Sequence, residues 1–224
     1  MPNLKTVMMA FLLMFSFLFT ACFDGLEESK GVLKTLLKGE PSEKNYEFSQ
    51  QYFEEGKYEE ALKFDIKQLE EDLKYYKDES AEIALDYNNI GLDYDELKNY
   101  KKALEYYIKA MKIDDITLES NSTERSTTYY NAAASFGALK RYDEALNYYF
   151  KALKIDNVGL GHYHDDVLAE YEEIAVIYEK TNKVKLAIEF LEKALELKEH
   201  VYGNEDERTY ETRLKIKELE KKMN

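Results

Sequence analysis

The stretch ALDYNNIGLDYDELKNYKKALEYYIKAMKIDD, residues 84 to 115, decides the fold, because close variants of it return at one fixed interval. Ala103 stands in its segment KKALEY, and Ala61, Ala145 and Ala187 hold the same place in EEALKF, DEALNY and KLAIEF, 42 residues apart each time. Three residues before each alanine come Tyr58, Tyr100, Tyr142 and Val184, and nine before it Tyr52, Tyr94, Phe136 and Tyr178. Seven after it the last three copies have Ala110, Ala152 and Ala194 where the first has Gln68. Such weakening at one end is usual in terminal repeats.

Inside a unit the apolar residues fall at helical spacing: Tyr87, Ile90 and Tyr94, then after a break Ala103, Tyr107, Ala110 and Met111. The pattern predicts two amphipathic helices per unit. Ser49, Gly91, Ala133 and Ala175 recur in the first helix, where a side chain beyond a methyl would hold the second helix away. First helices are expected to begin near Ser42, Ala84, Ser126 and Leu168, giving units at 42–83, 84–125, 126–167 and 168–209. A terminal helix over 206–222, with Leu214, Ile216 and Leu219 among many charges, is expected to cap the last apolar surface.

This alternation of small and aromatic residues on a helix-turn-helix resembles the tetratricopeptide repeat, and the 42-residue period resembles its kinesin-light-chain-like branch rather than the usual repeat of about 34 residues. The connector beginning at Gly161 is similar to that branch's loop through Gly161, His164, Val167 and Ala169, with Asp165 where a proline is usual. The next loop echoes it through Gly203, Asp206 and Thr209. The resemblance implies an all-α, right-handed solenoid of about four antiparallel helix pairs plus the capping helix, with first helices lining a concave groove for an extended peptide. It carries a ligand-holding role onto Asn89 and Asn131, while the matching Glu47 and Glu173 depart from it. Neighbouring groove candidates are Tyr46, Gln50, Asn88, Leu92, Tyr130, Ala134 and Val176.

The N-terminus reads differently. Lys5 is followed by an uncharged run from Thr6 to Phe23 rich in Met, Leu and Phe, which has the form of an export signal over residues 1–21. Its end, Phe19-Thr20-Ala21-Cys22, resembles a bacterial lipobox with phenylalanine in place of leucine, so Cys22 is the expected lipidation site, on a protein held in the bacterial cell envelope. The alternative is an uncleaved transmembrane anchor, since the run approaches the roughly 20 residues needed to span a bilayer. Cys22 is the one cysteine, so the exported part is expected to have neither disulfide nor free thiol. Residues 22–41 form a connector in which Val32, Leu33, Leu36 and Leu37 fit a short helix, and Ser42 fits its successor's cap.

Charge narrows the function classes. Without residues 1–21 the chain keeps 30 basic against 45 acidic residues, a net charge of -15. A phosphate backbone needs a concentrated basic surface, so nucleic acid is disfavoured. Lys67, Lys109, Lys151 and Lys193 share one repeat position, and Glu105–Lys109 and Glu189–Lys193 have the order of solvated outer-face pairs. His162, His164, Asp165 and Asp166 are the one local concentration of metal-ligating types, but the resemblance implies that His164 lies in a connector and caps the following helix, and no second ligand pair is present, so a structural loop is expected rather than a metal site. No phosphate loop, cofactor motif or nucleophile with partners is present, so the chain is expected not to be an enzyme. Two classes remain: a membrane-tethered module binding a neutral or basic peptide segment or envelope protein in its groove, and a structural subunit packing through its outer face.

Overall fold

The computed structural model describes residues 44–119 and 122–223. The leader, Cys22, the connector and Ser42 lie outside them. All nine elements described are α-helices: α1 (Lys44–Glu54), α2 (Tyr58–Tyr75), α3 (Ala81–Glu96), α4 (Tyr100–Thr117), α5 (Thr123–Ala138), α6 (Tyr142–Gly159), α7 (Asp165–Lys180), α8 (Val184–Val201) and α9 (Glu207–Met223). Each packs against the next along the chain, forming a solenoid of four helix pairs closed by α9.

The period is written in the helix ends. First helices α3, α5 and α7 start three residues before the positions expected at Ala84, Ser126 and Leu168, because the caps precede the apolar pattern. Ser80 accepts from the Ile83 N–H and His164 Nδ1 accepts from the Asp166 N–H at 3.2 Å. These first helices stop at Lys98, Lys140 and Asn182, all at positive φ near 60°, the place filled by Gly56 at 71° after α1. The next N–H then closes the turn onto Tyr52, Tyr94, Phe136 and Tyr178 carbonyls at 2.8 to 2.9 Å.

Packing between paired helices is set by small residues. Ala61, Ala103, Ala145 and Ala187 are fully buried, and Ser49, Ala133 and Ala175 are buried opposite them. At Gly91 even a methyl does not fit, because a Cβ there would lie 2.5 Å from Cε1 of the fully buried Tyr107 ring. The main apolar cluster runs from Ala103 to Leu197, and Ile216 and Leu219 of α9 seal Ala187 and Ile188 of α8.

α9 begins 42 residues after α7, so it occupies the first-helix place of a fifth unit. Its outer positions differ in chemistry. Where α7 has Tyr171, Ala175 and Tyr178, α9 has Arg213, Lys217 and Glu220. Arg213 bonds Glu199 at 2.6 Å, and Lys215 pairs with Glu179 at 2.8 Å, tying α9 down. Among the described residues no helix is long and apolar enough to cross a membrane.

Candidate functional site

Successive first helices leave clefts between them, and a second helix supplies each floor. Between α1 and α3 a cavity of about 220 Å³ is lined by Tyr46, Ser49, Gln50, Phe53, Glu54, Asn89 and Leu92 over Asp65 of α2. Between α3 and α5 one of about 480 Å³ includes Glu82, Leu85, Asn88, Glu124 and Thr127 over Asp114 of α4. Between α5 and α7 one of about 250 Å³ is formed by Ser126, Thr127, Tyr130, Asp166, Ala169 and Glu170 over Asp156 of α6. Eight carboxyls line these three cavities and no lysine, arginine or histidine does.

The floors of the second and third clefts, Asp114 and Asp156, stand one repeat apart, whereas Asp65 of the first is at the place of Tyr107 and Tyr149. Asp72, Asp114, Asp156 and Lys198 are one position of the second helices, and Asp86, Thr128, Glu170 and Thr212 are the position facing it from the next first helix; all eight are buried. At the second junction Thr128 Oγ1 donates to Asp114 at 3.0 Å. At the fourth, Lys198 Nζ donates to Thr212 Oγ1 at 2.9 Å and pairs with Glu172 at 2.6 Å. The first and third place acid against acid. Burial, then the nearby Asp72 charge, pushes Asp86 up to about 8. Burial, then Asp156, pushes Glu170 up to about 9. Beside the first of these, Asp65 faces the fully buried Asp93, and desolvation drives both above the ordinary carboxylate range. Neither oxygen of Asp93 or Glu170 meets a donor, so each pair closes a hydrogen bond only by sharing a proton.

The groove candidates divide among these clefts. Asn89 and Leu92 line the first, Asn88 the second and Tyr130 the third. Asn131 Nδ2 donates to Asn88 Oδ1 at 3.2 Å, and Ser135 donates to Asp95 at 2.5 Å, so both tie α5 to α3. Asn131 is thereby partly engaged within the fold, whereas Asn89 stays at a cavity wall. Tyr130 is half-buried, edge-on to Tyr149 at 5.3 Å, and burial raises its hydroxyl to about 12. Ala134 is half-buried and Val176 is exposed on α7. Gln50 donates to the Tyr46 hydroxyl at 2.7 Å on α1.

One sequence expectation changes. The recurrent lysines are more than solvated partners of glutamate: Lys67, Lys109, Lys151 and Lys193 lie 4.5 to 4.7 Å over Phe64, Tyr106, Tyr148 and Phe190. Those rings in turn stack against Tyr52, Tyr94 and Phe136 in the first three units. Lys193 also makes the expected pair with Glu189, at 3.3 Å. The lysine stems cover aromatic surface while the charge faces the ring. Histidines 162 and 164 serve different ends, His162 meeting Asn157 at 3.2 Å while His164 caps α7. Among the described residues no group of three or more His, Cys, Asp or Glu is arranged to hold a metal. The carboxyl pairs escaped sequence reading, although the 42-residue recurrence of Asp72, Asp114 and Asp156 points to one member of the pairs at the first and third junctions.

The sequence profile described as tetratricopeptide repeat matches residues 44–115 and 124–200. No curated protein matches the chain. Among solved structures, BtubC (BKLC) from P. vanneervenii superposes with a TM-score of 0.68 at 21% identity, over 77% of this chain and 69% of that one. A kinesin-light-chain-like protein of Podosopora anserina with nearly identical TPR-like repeats gives 0.67 at 20% identity, over 80% and 91%. At these identities the likeness is one of fold.

Proposed function

Because the chain belongs to the tetratricopeptide-repeat family, a fold of protein interaction and scaffold modules, we propose that it binds a neutral or basic polypeptide segment along the face formed by α1, α3, α5 and α7, while held at a membrane through lipidated Cys22. The observation that carries the reading is the row of three clefts between first helices, each floored by a buried acid and lined without a single basic side chain. An extended chain crossing that face meets carboxyls in each of the three clefts and amides at Asn88 and Asn89. An acidic segment is repelled. The bacterial-envelope location rests on the leader and the Phe19-Thr20-Ala21-Cys22 ending.

Affinity recovery from native membranes tests the two halves together. Asn89→Ala with Leu92→Ala is expected to lose the partner, and wild-type recovery is expected to fall as salt rises, since exposed charges are screened over about 8 to 10 Å at physiological ionic strength. Cys22→Ala is expected to leave the membrane fraction. If the groove variant keeps its partner while Lys109→Ala and Lys151→Ala lose it, the outer-face scaffold replaces the groove. An unmodified Cys22 within the intact chain by mass spectrometry removes the lipid anchor.

A further inference from the structure

We propose that the cleft between α5 and α7 is a receptor for one guanidinium, the side chain of an arginine in the bound segment. The inference rests on the reading that the first-helix face takes a polypeptide, and it names the residue that anchors there.

Glu170 is 1% exposed and forms part of a cavity of about 250 Å³, where liquid water takes up about 30 Å³ per molecule. Neither of its oxygens meets a hydrogen-bond donor. Facing it from α6 is Asp156, and from its own helix Asp166; α5 contributes only the neutral Ser126, Thr127 and Tyr130. His164, at the head of α7, lies 3.4 Å from the far carboxylate oxygen of Asp166. Asp156 already accepts from Ser126 at 2.5 Å, so apart from the proton it shares with Asp156 the Glu170 carboxyl meets no donor from the chain. Stripped of that proton and given no donor, a carboxylate so buried is costly.

The next junction shows what chemistry relieves it. There the residue equivalent to Asp156 is Lys198, and its ammonium is buried between Glu172 and Thr212. The junction geometry therefore accommodates a cation, supplied from within the chain at the fourth junction and lacking at the third. Two carboxyls on one floor suit a planar fork of N–H donors better than a point charge, and Tyr130 lines the same cavity. Arriving charge displaces the proton that Asp156 and Glu170 share, which passes to solvent.

The peptide acetyl-Gly-Arg-Gly-amide, titrated into the full chain in mild detergent, tests this, with lysine and citrulline counterparts as arms. Saturable amide shifts at Thr127 and Ala169 are expected, arginine binding more tightly than lysine, and neutral citrulline not at all. Calorimetry in two buffers of different ionisation heat is expected to show proton release at pH 7.5 that vanishes above pH 10. Glu170→Gln is expected to weaken arginine binding at least tenfold and abolish proton release; should that variant not fold, Asp166→Asn at the exposed rim is expected to weaken it severalfold. Equal binding by citrulline, undiminished binding in the folded variant, or shifts spread evenly over the acidic surface overturns the proposal. Loss of the arginine site with partner recovery still dependent on Asn89 and Leu92 rejects this cleft alone and leaves the groove standing.

Discussion

Replacing Glu170 by glutamine perturbs the array at one atom and makes its stability respond differently to pH. In the folded chain this carboxyl is pushed up to about 9 from an ordinary 4.5, by burial first and the Asp156 charge second. Its folded form therefore holds a proton that the unfolded form releases across that whole window, so its contribution is greatest below about 4.5 and is lost as pH rises toward 9. At about 1.4 kcal/mol per pH unit, holding the proton at pH 7 costs about 3 kcal/mol relative to the ionised unfolded chain. Glutamine needs no proton and still donates to Asp156, but it buries a further N–H whose lack of a partner costs about 1 to 2 kcal/mol. The variant is thus expected to gain about 1 to 2 kcal/mol at pH 7 and to lose about as much at pH 4.5. Urea unfolding of both chains at pH 4.5, 6 and 7.5 measures it. A stability difference that does not change with pH refutes the shared proton.

Gly91→Ala trades about 1 kcal/mol of helix propensity for overpacking against the fully buried Tyr107 ring, typically about 1 to 3 kcal/mol, so thermal unfolding is expected at lower temperature. Lys98→Gly and Lys140→Gly relieve a left-handed backbone at φ 59° and 60° and are each expected to raise the urea midpoint, by about 1 kcal/mol in stability; lowered midpoints reject the strain. Ala103→Leu and Ala145→Leu force a larger side chain into fully buried contacts and are expected to cost about 1 to 3 kcal/mol, with amide exchange rising in adjacent repeats. Unchanged exchange there argues against nearest-neighbour coupling.

The helix pairs were legible because one steric demand, a small residue opposite a ring, recurs every 42 positions and leaves Ala61, Ala103, Ala145 and Ala187 in plain register. Helix starts were less so. A cap such as Ser80 or His164 lies outside the apolar rhythm, which begins only when the helix meets its partner. The acid pairs were obscured because Asp86 and Glu170 look like any solvated carboxylate among 45, and their burial is a property of the junction between two repeats rather than of either one. Asn131 shows the same limit. Its equivalence to Asn89 is a fact of spacing, while its bond to Asn88 depends on how closely α5 approaches α3.

The helix α9 shows that the length of such an array is a matter of surface chemistry, not of geometry. Its backbone stands where a fifth unit's first helix belongs, so nothing in its placement forbids another helix from being laid against it. What α9 lacks is the seat itself: Arg213, Lys217 and Glu220 stand where ring, small residue and ring hold α8 against α7. Three substitutions, to tyrosine, alanine and tyrosine, would turn a terminus into a socket, and an apolar socket on an exposed end is also an invitation to other chains. A charged surface at these three positions thus withholds from other chains the apolar seat by which α7 holds α8.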